Sequence, residues 1–340
     1  MSDRLLERLA EGPVICAEGY LFELERRGYV QAGPFVPEVV LEHPEAVRAL
    51  HRDFARAGSD VVPAFTYYAH REKLRNVGRE DVLEELNRTA LALAKEVAAE
   101  FGALAAGDVC NTNVYADDAG SRDAARAMFE EQVGWAAEAG VDFVVAETIS
   151  WGGEALVALG EIKAAGLPAV VTLAAHQHPA TREGWTLADA ALRLEDAGAD
   201  VVGLNCMRGP ATMLPLLPEI RAAVSVPVAA LPVPYRTHEA QPTFQSLREP
   251  GSEEMPFPTR LDPFACTRDE IGEFARAALD AGASYLGLCC GAGPHHVRSL
   301  AEALGRTPPA SRYSADMSKH SFFGSDEELK QENLAFAREL

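Results

Sequence analysis

The chain has 340 residues, 48% of them hydrophobic, with 31 basic against 51 acidic side chains and a formal charge of −20. That balance argues against nucleic acid as a partner, because no cationic surface is available to displace phosphate counterions, and against an anionic membrane surface. No apolar run approaches the ~18 residues of a membrane span. Residues 1–12 lack the basic start and apolar block of a signal peptide, so a cytoplasmic protein is expected.

Short apolar, β-branched runs alternate along the chain with amphipathic stretches, the pattern of βα units around a parallel sheet. Strands are predicted at 14–16, 61–65, 104–109, 143–147, 169–173, 201–205, 228–231 and 285–289. Apolar residues at three- and four-residue spacing predict helices over 46–57, 81–99, 122–139 and 187–197. AGSD, AGVD, AGAD and AGAS recur just before strands two, four, six and eight, where glycine suits a helix C-terminus. These repeats, with no second composition class, predict a closed (β/α)8 TIM barrel. An open dinucleotide-binding sheet needs a Gly-rich phosphate turn after its first strand, and Cys16-Ala17-Glu18-Gly19 is not one.

Two connections are long. Residues 34–44 interrupt the first βα unit, and residues 232–269, rich in Pro, Glu and Arg, follow strand seven. Loops after strands line the catalytic mouth of such barrels. The barrel is expected over 1–306. Residues 307–340, with Phe322 and Phe323 ahead of a charged helical stretch at 326–340, read as a C-terminal docking arm.

Six cysteines in a chain this long are not a disulfide framework; clustered thiols in a reducing compartment point to metal or catalysis. Cys206 ends strand six, and the adjacent Cys289 and Cys290 end strand eight. Those strand ends converge on one opening, so three thiolates can meet about 2.3 Å from a Zn2+ ion. Three protein ligands leave one tetrahedral position open, which is the arrangement of a catalytic site. A cysteine at a strand end is otherwise a small buried apolar residue, the reading that fits Cys16, Cys110 and Cys266. Glu147 ends strand four as a carboxylate at the same mouth. An onium substrate is recognised by ring faces, which Phe35, Phe65, Tyr67 and Tyr68 could supply, although each also suits a core. His176 and His178 have the spacing of a metal pair but stand in a polar loop and are read as solvated. His295 and His296, at a helix start, are read as packing residues.

GLNC at 203–206 and GLCCG at 287–291 resemble the GxNC and GGCCG motifs of the zinc-dependent homocysteine S-methyltransferases. LLERL, LEHPEAVRALHRDFARAGS, FTYYA, CTRDEI and GPHHVRSLAEAL spread the resemblance over nearly the whole chain, with the betaine-using members as the nearest pattern. PPAS, DM and ENL carry it into the tail, which is similar to that family's oligomerisation arm. The resemblance implies a (β/α)8 barrel, Cys206, Cys289 and Cys290 as zinc ligands, and self-association through the arm. It implies methyl transfer from a betaine-like onium donor to a thiol acceptor, homocysteine, giving methionine. It also implies that Tyr68 takes the fourth zinc position when substrate is absent, and that Glu147 holds the acceptor's ammonium.

The chain departs from the family's pattern around both substrates. The family's Asp-Gly-Gly run, which helps bind homocysteine, is here Ala17, Glu18 and Gly19, so Glu18 is expected to take over part of the aspartate's work. Leu288 replaces the second glycine of GGCCG. Thr148 stands where the betaine enzymes carry a tyrosine for the donor's carboxylate. Gly19, Asn205 and Leu288 complete the expected substrate contacts. These changes leave open a different thiol, a methylsulfonium donor, a catabolic demethylase of quaternary amines, or a catalytically silent barrel that binds zinc or an onium ligand. A corrinoid mechanism is not expected, since no cobalamin module is evident.

Overall fold

Every strand residue except Ser284 is buried, which is why the strands read as continuous apolar runs rather than as alternating ones. The computed structural model describes residues 4–33, 35–313, 335–336 and 338–339. Its strands are β1 (Val14–Ala17), β2 (Val61–Pro63), β3 (Leu104–Cys110), β4 (Phe143–Ile149), β5 (Ala169–Leu173), β6 (Val201–Asn205), β7 (Val228–Leu231) and β8 (Ala283–Leu288). They pair in parallel in chain order and close when β1 pairs with β8, Cys16 opposite Gly287. The predicted barrel is present, with each predicted strand in place. The helices Pro44–Ala57, Leu83–Phe101, Ala119–Ala139 and Leu187–Asp196 lie where the periodicity put them.

The apolar core has two parts. The larger lies between the strands and the outer helices. The smaller fills the barrel itself with inward residues such as Cys16, Ala106, Val145, Val201 and Tyr285. Leu5, from the helix Arg4–Glu11, is fully buried against this inner set and plugs the lower end.

The AG-x-D repeats serve the register of that lower end. Gly58, Gly140, Gly198 and Gly282 all have left-handed backbone, with φ between 69 and 110°, the conformation that ends a helix at lowest cost on glycine. The aspartates that follow reach back one strand. Asp60 accepts from Ile15 N at 2.8 Å, Asp142 from Ala105 N at 2.8 Å and Asp200 from Ala169 N at 2.7 Å. Each carboxylate thereby satisfies a backbone donor at or near the start of β1, β3 or β5.

No helix among the described residues is long and apolar enough to cross a membrane. Of the expected docking arm, residues 307–313 are described, with a short helical turn over Pro309–Tyr313, whereas Phe322, Phe323 and most of the stretch at 326–340 lie outside the described residues.

Candidate metal centre and substrate cavity

Strand alternation decides what reaches the upper opening of the barrel. Inward positions recur every two residues, so the run above Cys16 reaches Glu18, above Ala106 reaches Asp108, above Val145 reaches Glu147, and above Tyr285 reaches Cys289. On β6 the same alternation runs from Val201 through Gly203 to Asn205. The lower members are apolar or small and the upper ones are acids, an amide and a thiol.

The three predicted ligand residues come together. One sulfur each from Cys206, Cys289 and Cys290 lie within 4.8 Å of one another, and Cys289 Sγ is 3.9 Å from Cys290 Sγ. Sulfurs bound tetrahedrally at 2.3 Å from one ion are about 3.8 Å apart, so the set fits a zinc-sized centre. All six cysteines are free. The thiols of Cys289 and Cys290, directed at Cys206, hold its thiol well below the ordinary range. Three soft sulfurs favour zinc over a hard oxygen-seeking cation.

The backbone delivers these sulfurs by leaving the sheet abruptly. Cys206 N still bonds Leu231 O at 2.9 Å, continuing the ladder to β7. Cys206 and Met207 then turn at φ 56° and 51°. On the other side Cys289 N bonds Pro232 O at 2.9 Å, and Gly291 turns at φ 94°. A Cβ on Gly291 would collide with the Tyr235 hydroxyl. Tyr68 and Thr148 also hold positive φ, 60° and 58°. Left-handed backbone on non-glycine residues is strained and clusters at functional sites; here four such residues ring one opening.

Asn205 is the hub beside the thiols. Its Nδ2, with two hydrogens to give, lies 2.6 Å from Glu147 Oε2, 2.9 Å from Thr148 Oγ1 and 3.1 Å from Glu18 Oε2, and its Oδ1 accepts from Thr148 N at 2.8 Å. Thr148 Oγ1 in turn donates to Glu147 Oε2 at 3.0 Å. Cys289 Sγ lies 4.0 Å from Glu147 Oε2. Burial and then the Cys206 thiol push Glu147 up to about 7, against the hydrogen bonds from Thr148 and Asn205. Burial, then the charge of Glu147, raises Glu18 as well.

A small cavity opens next to the thiols, lined by Glu18, Phe65, Tyr67, Asp108, Glu147, Cys289 and Cys290 among others. Asp108 is a residue that sequence reasoning passed over. It lies two positions above Ala106 on β3, is buried, and is raised by burial and by Glu147 and Glu18. The signal was present, since an acid inside an apolar strand has to face something.

The aromatic residues divide. Phe65 stacks on Tyr20, centroids 6.0 Å apart, and with Tyr67 lines the cavity. Tyr68 sits beside Tyr67 at 4.4 Å, with the Lys73 ammonium 4.0 Å over its ring, and burial pushes its hydroxyl up to about 12. Phe35 packs instead with Phe22 at 5.8 Å and Phe257 at 6.4 Å, in a separate cluster with Phe244. Gly19 is required by close approach, because a Cβ there would strike the carbonyl of Ala292. Leu288 is fully buried, and its carbonyl accepts from Glu18 N at 2.9 Å, which fixes Glu18 at the cavity wall.

Of the histidines, His178 is exposed, but His176 is half-buried with its Nε2 2.7 Å from Ser150 Oγ. The solvated reading fails for His176 because its loop folds back onto the segment after β4. His296 is a packing residue that bridges Gly293 N and Cys266 O, at 3.2 and 3.1 Å.

A family model described as homocysteine S-methyltransferase matches residues 15–304. A betaine–homocysteine S-methyltransferase 1 of Danio rerio is 38% identical over 342 residues, covering 98% of this chain and 83% of that protein. An S-methylmethionine–homocysteine S-methyltransferase of Pongo abelii is 36% identical over 334 residues, covering 94% of this chain and 86% of that protein. The crystal structure of a homocysteine methyltransferase from Escherichia coli, in its metallated form, shares the fold with a TM-score of 0.68. It is 20% identical and covers 87% of this chain and 98% of its own.

Proposed function

The chain belongs to the homocysteine S-methyltransferase family, and from that premise we propose that it moves a methyl group from a betaine-like onium donor to the thiol of homocysteine, giving methionine. The observation that carries this reading is the convergence of the Cys206, Cys289 and Cys290 sulfurs at the barrel mouth, beside an acid-lined cavity. Those three residues would hold one Zn2+. Bound there, zinc supplies the Lewis acidity that keeps a thiol of ordinary pKa near 8.5 as a nucleophilic thiolate at neutral pH.

The chain's own residues bind and orient. Glu147 holds the acceptor's ammonium, and Asn205 fixes the carboxylate that does so. Glu18 supplies a second carboxylate to that end of the cavity. Phe65 and Tyr67 present rings to the onium, with Phe35 further out. A sulfur–carbon bond forms as the donor's bond to the methyl breaks. The electron pair leaves on the donor, which departs neutral, so no general acid is needed on that side. Tyr68 would be a further ligand to the metal in the absence of acceptor, and its left-handed backbone supports a functional place at the mouth.

The barrel is taken to span 1–306, with 307–340 as an arm through which copies self-associate. Six free thiols suit a reducing cytoplasm.

A methylsulfonium donor is the second reading, favoured by the likeness to the S-methylmethionine-using relative and by Thr148 at the donor position. The test is to supply L-homocysteine with glycine betaine, a methylsulfonium compound or another methylammonium compound, and to measure methionine by mass spectrometry alongside zinc stoichiometry. One zinc per chain with methionine from at least one donor is expected. One zinc per chain with no methylated thiol from any donor would leave a silent barrel.

A further inference from the structure

Glu18 Oε1 and Asp108 Oδ1 are buried without a hydrogen-bond partner among the described residues. The two residues are 8% and 7% exposed, and both line the cavity beside Cys289. No lysine or arginine among the described residues lines that cavity. The Oε2 atoms of Glu18 and Glu147 share the one amide nitrogen of Asn205, and Asp108 faces the Glu147 carboxyl, so three acids crowd one amide. A buried carboxylate oxygen with no donor is costly, and a bound group carrying N–H would satisfy both oxygens.

The two cationic substrates of the proposed reaction differ in this respect. A quaternary or sulfonium onium carries no N–H and cannot satisfy an orphan oxygen, whereas a primary ammonium offers three N–H donors. We propose, on the S-methyltransferase reading above, that Asp108 is a specificity-determining residue which acts with Glu18 to select a thiol acceptor bearing a primary ammonium. The acids form the floor that takes the ammonium, and the rings of Phe65 and Tyr67 take the onium. Asp108 enters from β3, which lies well round the closed barrel from β8, the strand that leads into Cys289, so the ammonium lies across from the sulfur-binding end.

The experiment compares L-homocysteine with 4-mercaptobutyrate, the same thiol without its amine, in the zinc-loaded wild type and in Asp108→Asn. The variant is expected to raise the homocysteine KM about 10- to 100-fold, the worth of one charged hydrogen bond. Its kcat should move little, its zinc content should be unchanged, and the KM for 4-mercaptobutyrate should not rise. The thermal shift induced by homocysteine should shrink in parallel, a binding readout that does not require turnover. Glu18→Gln, read the same way, guards against a misfolded single variant. An unchanged homocysteine preference and thermal shift in both variants overturns the inference. Absence of methionine from wild type with every donor overturns the S-methyltransferase reading instead, while the thermal shift still reports on Asp108.

Discussion

Glu147 Oε2 accepts from Asn205 Nδ2 at 2.6 Å, across the interior of the barrel from β4 to β6. That bond links a carboxylate raised by burial to the residue that precedes a candidate metal ligand, so geometry on one side is transmitted to the other. Asn205→Ala leaves Glu147 and Glu18 without their shared donor. A loss of about 100-fold in kcat/KM is expected, the worth of one to two hydrogen bonds to charged groups. Asn205→Asp should be worse, because it adds a carboxylate where an amide offsets two. Steady-state kinetics on both variants checks this, and wild-type activity in both would mean that Asn205 does not position the two acids.

Removing the metal should abolish methyl transfer while leaving the fold in place. The barrel closes through its own ladder and two apolar cores, and none of these needs the ion. After treatment with a strong chelator, the circular dichroism spectrum is expected to be unchanged and the activity absent. Activity should return with Zn2+ and not with Mg2+, since three thiolates are a soft donor set. Cys206→Ala, Cys289→Ala and Cys290→Ala should each lose stoichiometric zinc. Full zinc occupancy in any one of them would remove that residue from the ligand set.

Asp142 and Asp200 offer the opposite case, stability without catalysis. Each accepts a backbone N–H near the start of a strand at the end of the barrel away from the site. Asp142→Ala or Asp200→Ala leaves that donor unsatisfied and should cost about 1–3 kcal/mol in urea unfolding, with kcat/KM at 25 °C unaltered. A drop in kcat/KM with no change in stability would contradict this division of labour.

The fold was legible because strands buried on both faces leave apolar runs that do not depend on context, and because AG-x-D, or AG-x-S before β8, marks the turn before every second strand. Boundaries slipped where local chemistry intervened. β2 stops at Pro63, which lacks an N–H for the ladder. β8 ends at Leu288, although the Cys289 N–H still reaches Pro232 O just past β7, and Pro232 has no N–H to return. The thiols were legible as a set, since a parallel barrel brings all upper strand ends to one mouth. Asp108 was half legible, as its parity on β3 was readable but its partners were not. Which side chains share an amide, and that Phe35 turns toward Phe22 and Phe257 rather than toward Phe65, depend on distances between elements far apart in the chain.

Acid should destabilise the protein through its buried histidines, and the sign can be worked out. Burial holds His51 and His296 down to about 3 and His70 to about 4, against about 6.5 in the unfolded chain. Below pH 6.5 the unfolded state binds protons that the folded state refuses, so stability falls as pH drops, by about 1.4 kcal/mol per unit for each histidine, down to its folded pKa. The raised carboxyls of Glu18, Asp108 and Glu147 act in the other direction, since the folded state holds their protons and gains stability as pH falls. The wild-type curve alone therefore mixes two opposed slopes. His51, whose Nδ1 lies 3.0 Å from Tyr20 Oη and whose Nε2 has no partner, separates them. His51→Gln should be less stable than wild type at pH 7, having lost the Tyr20 contact, yet should close that gap by about 1.4 kcal/mol for each unit from pH 6 to pH 4. Urea unfolding of the two proteins in parallel measures the difference directly. Curves that stay parallel over this range would mean that His51 is protonated in the folded state and that its burial carries no such cost.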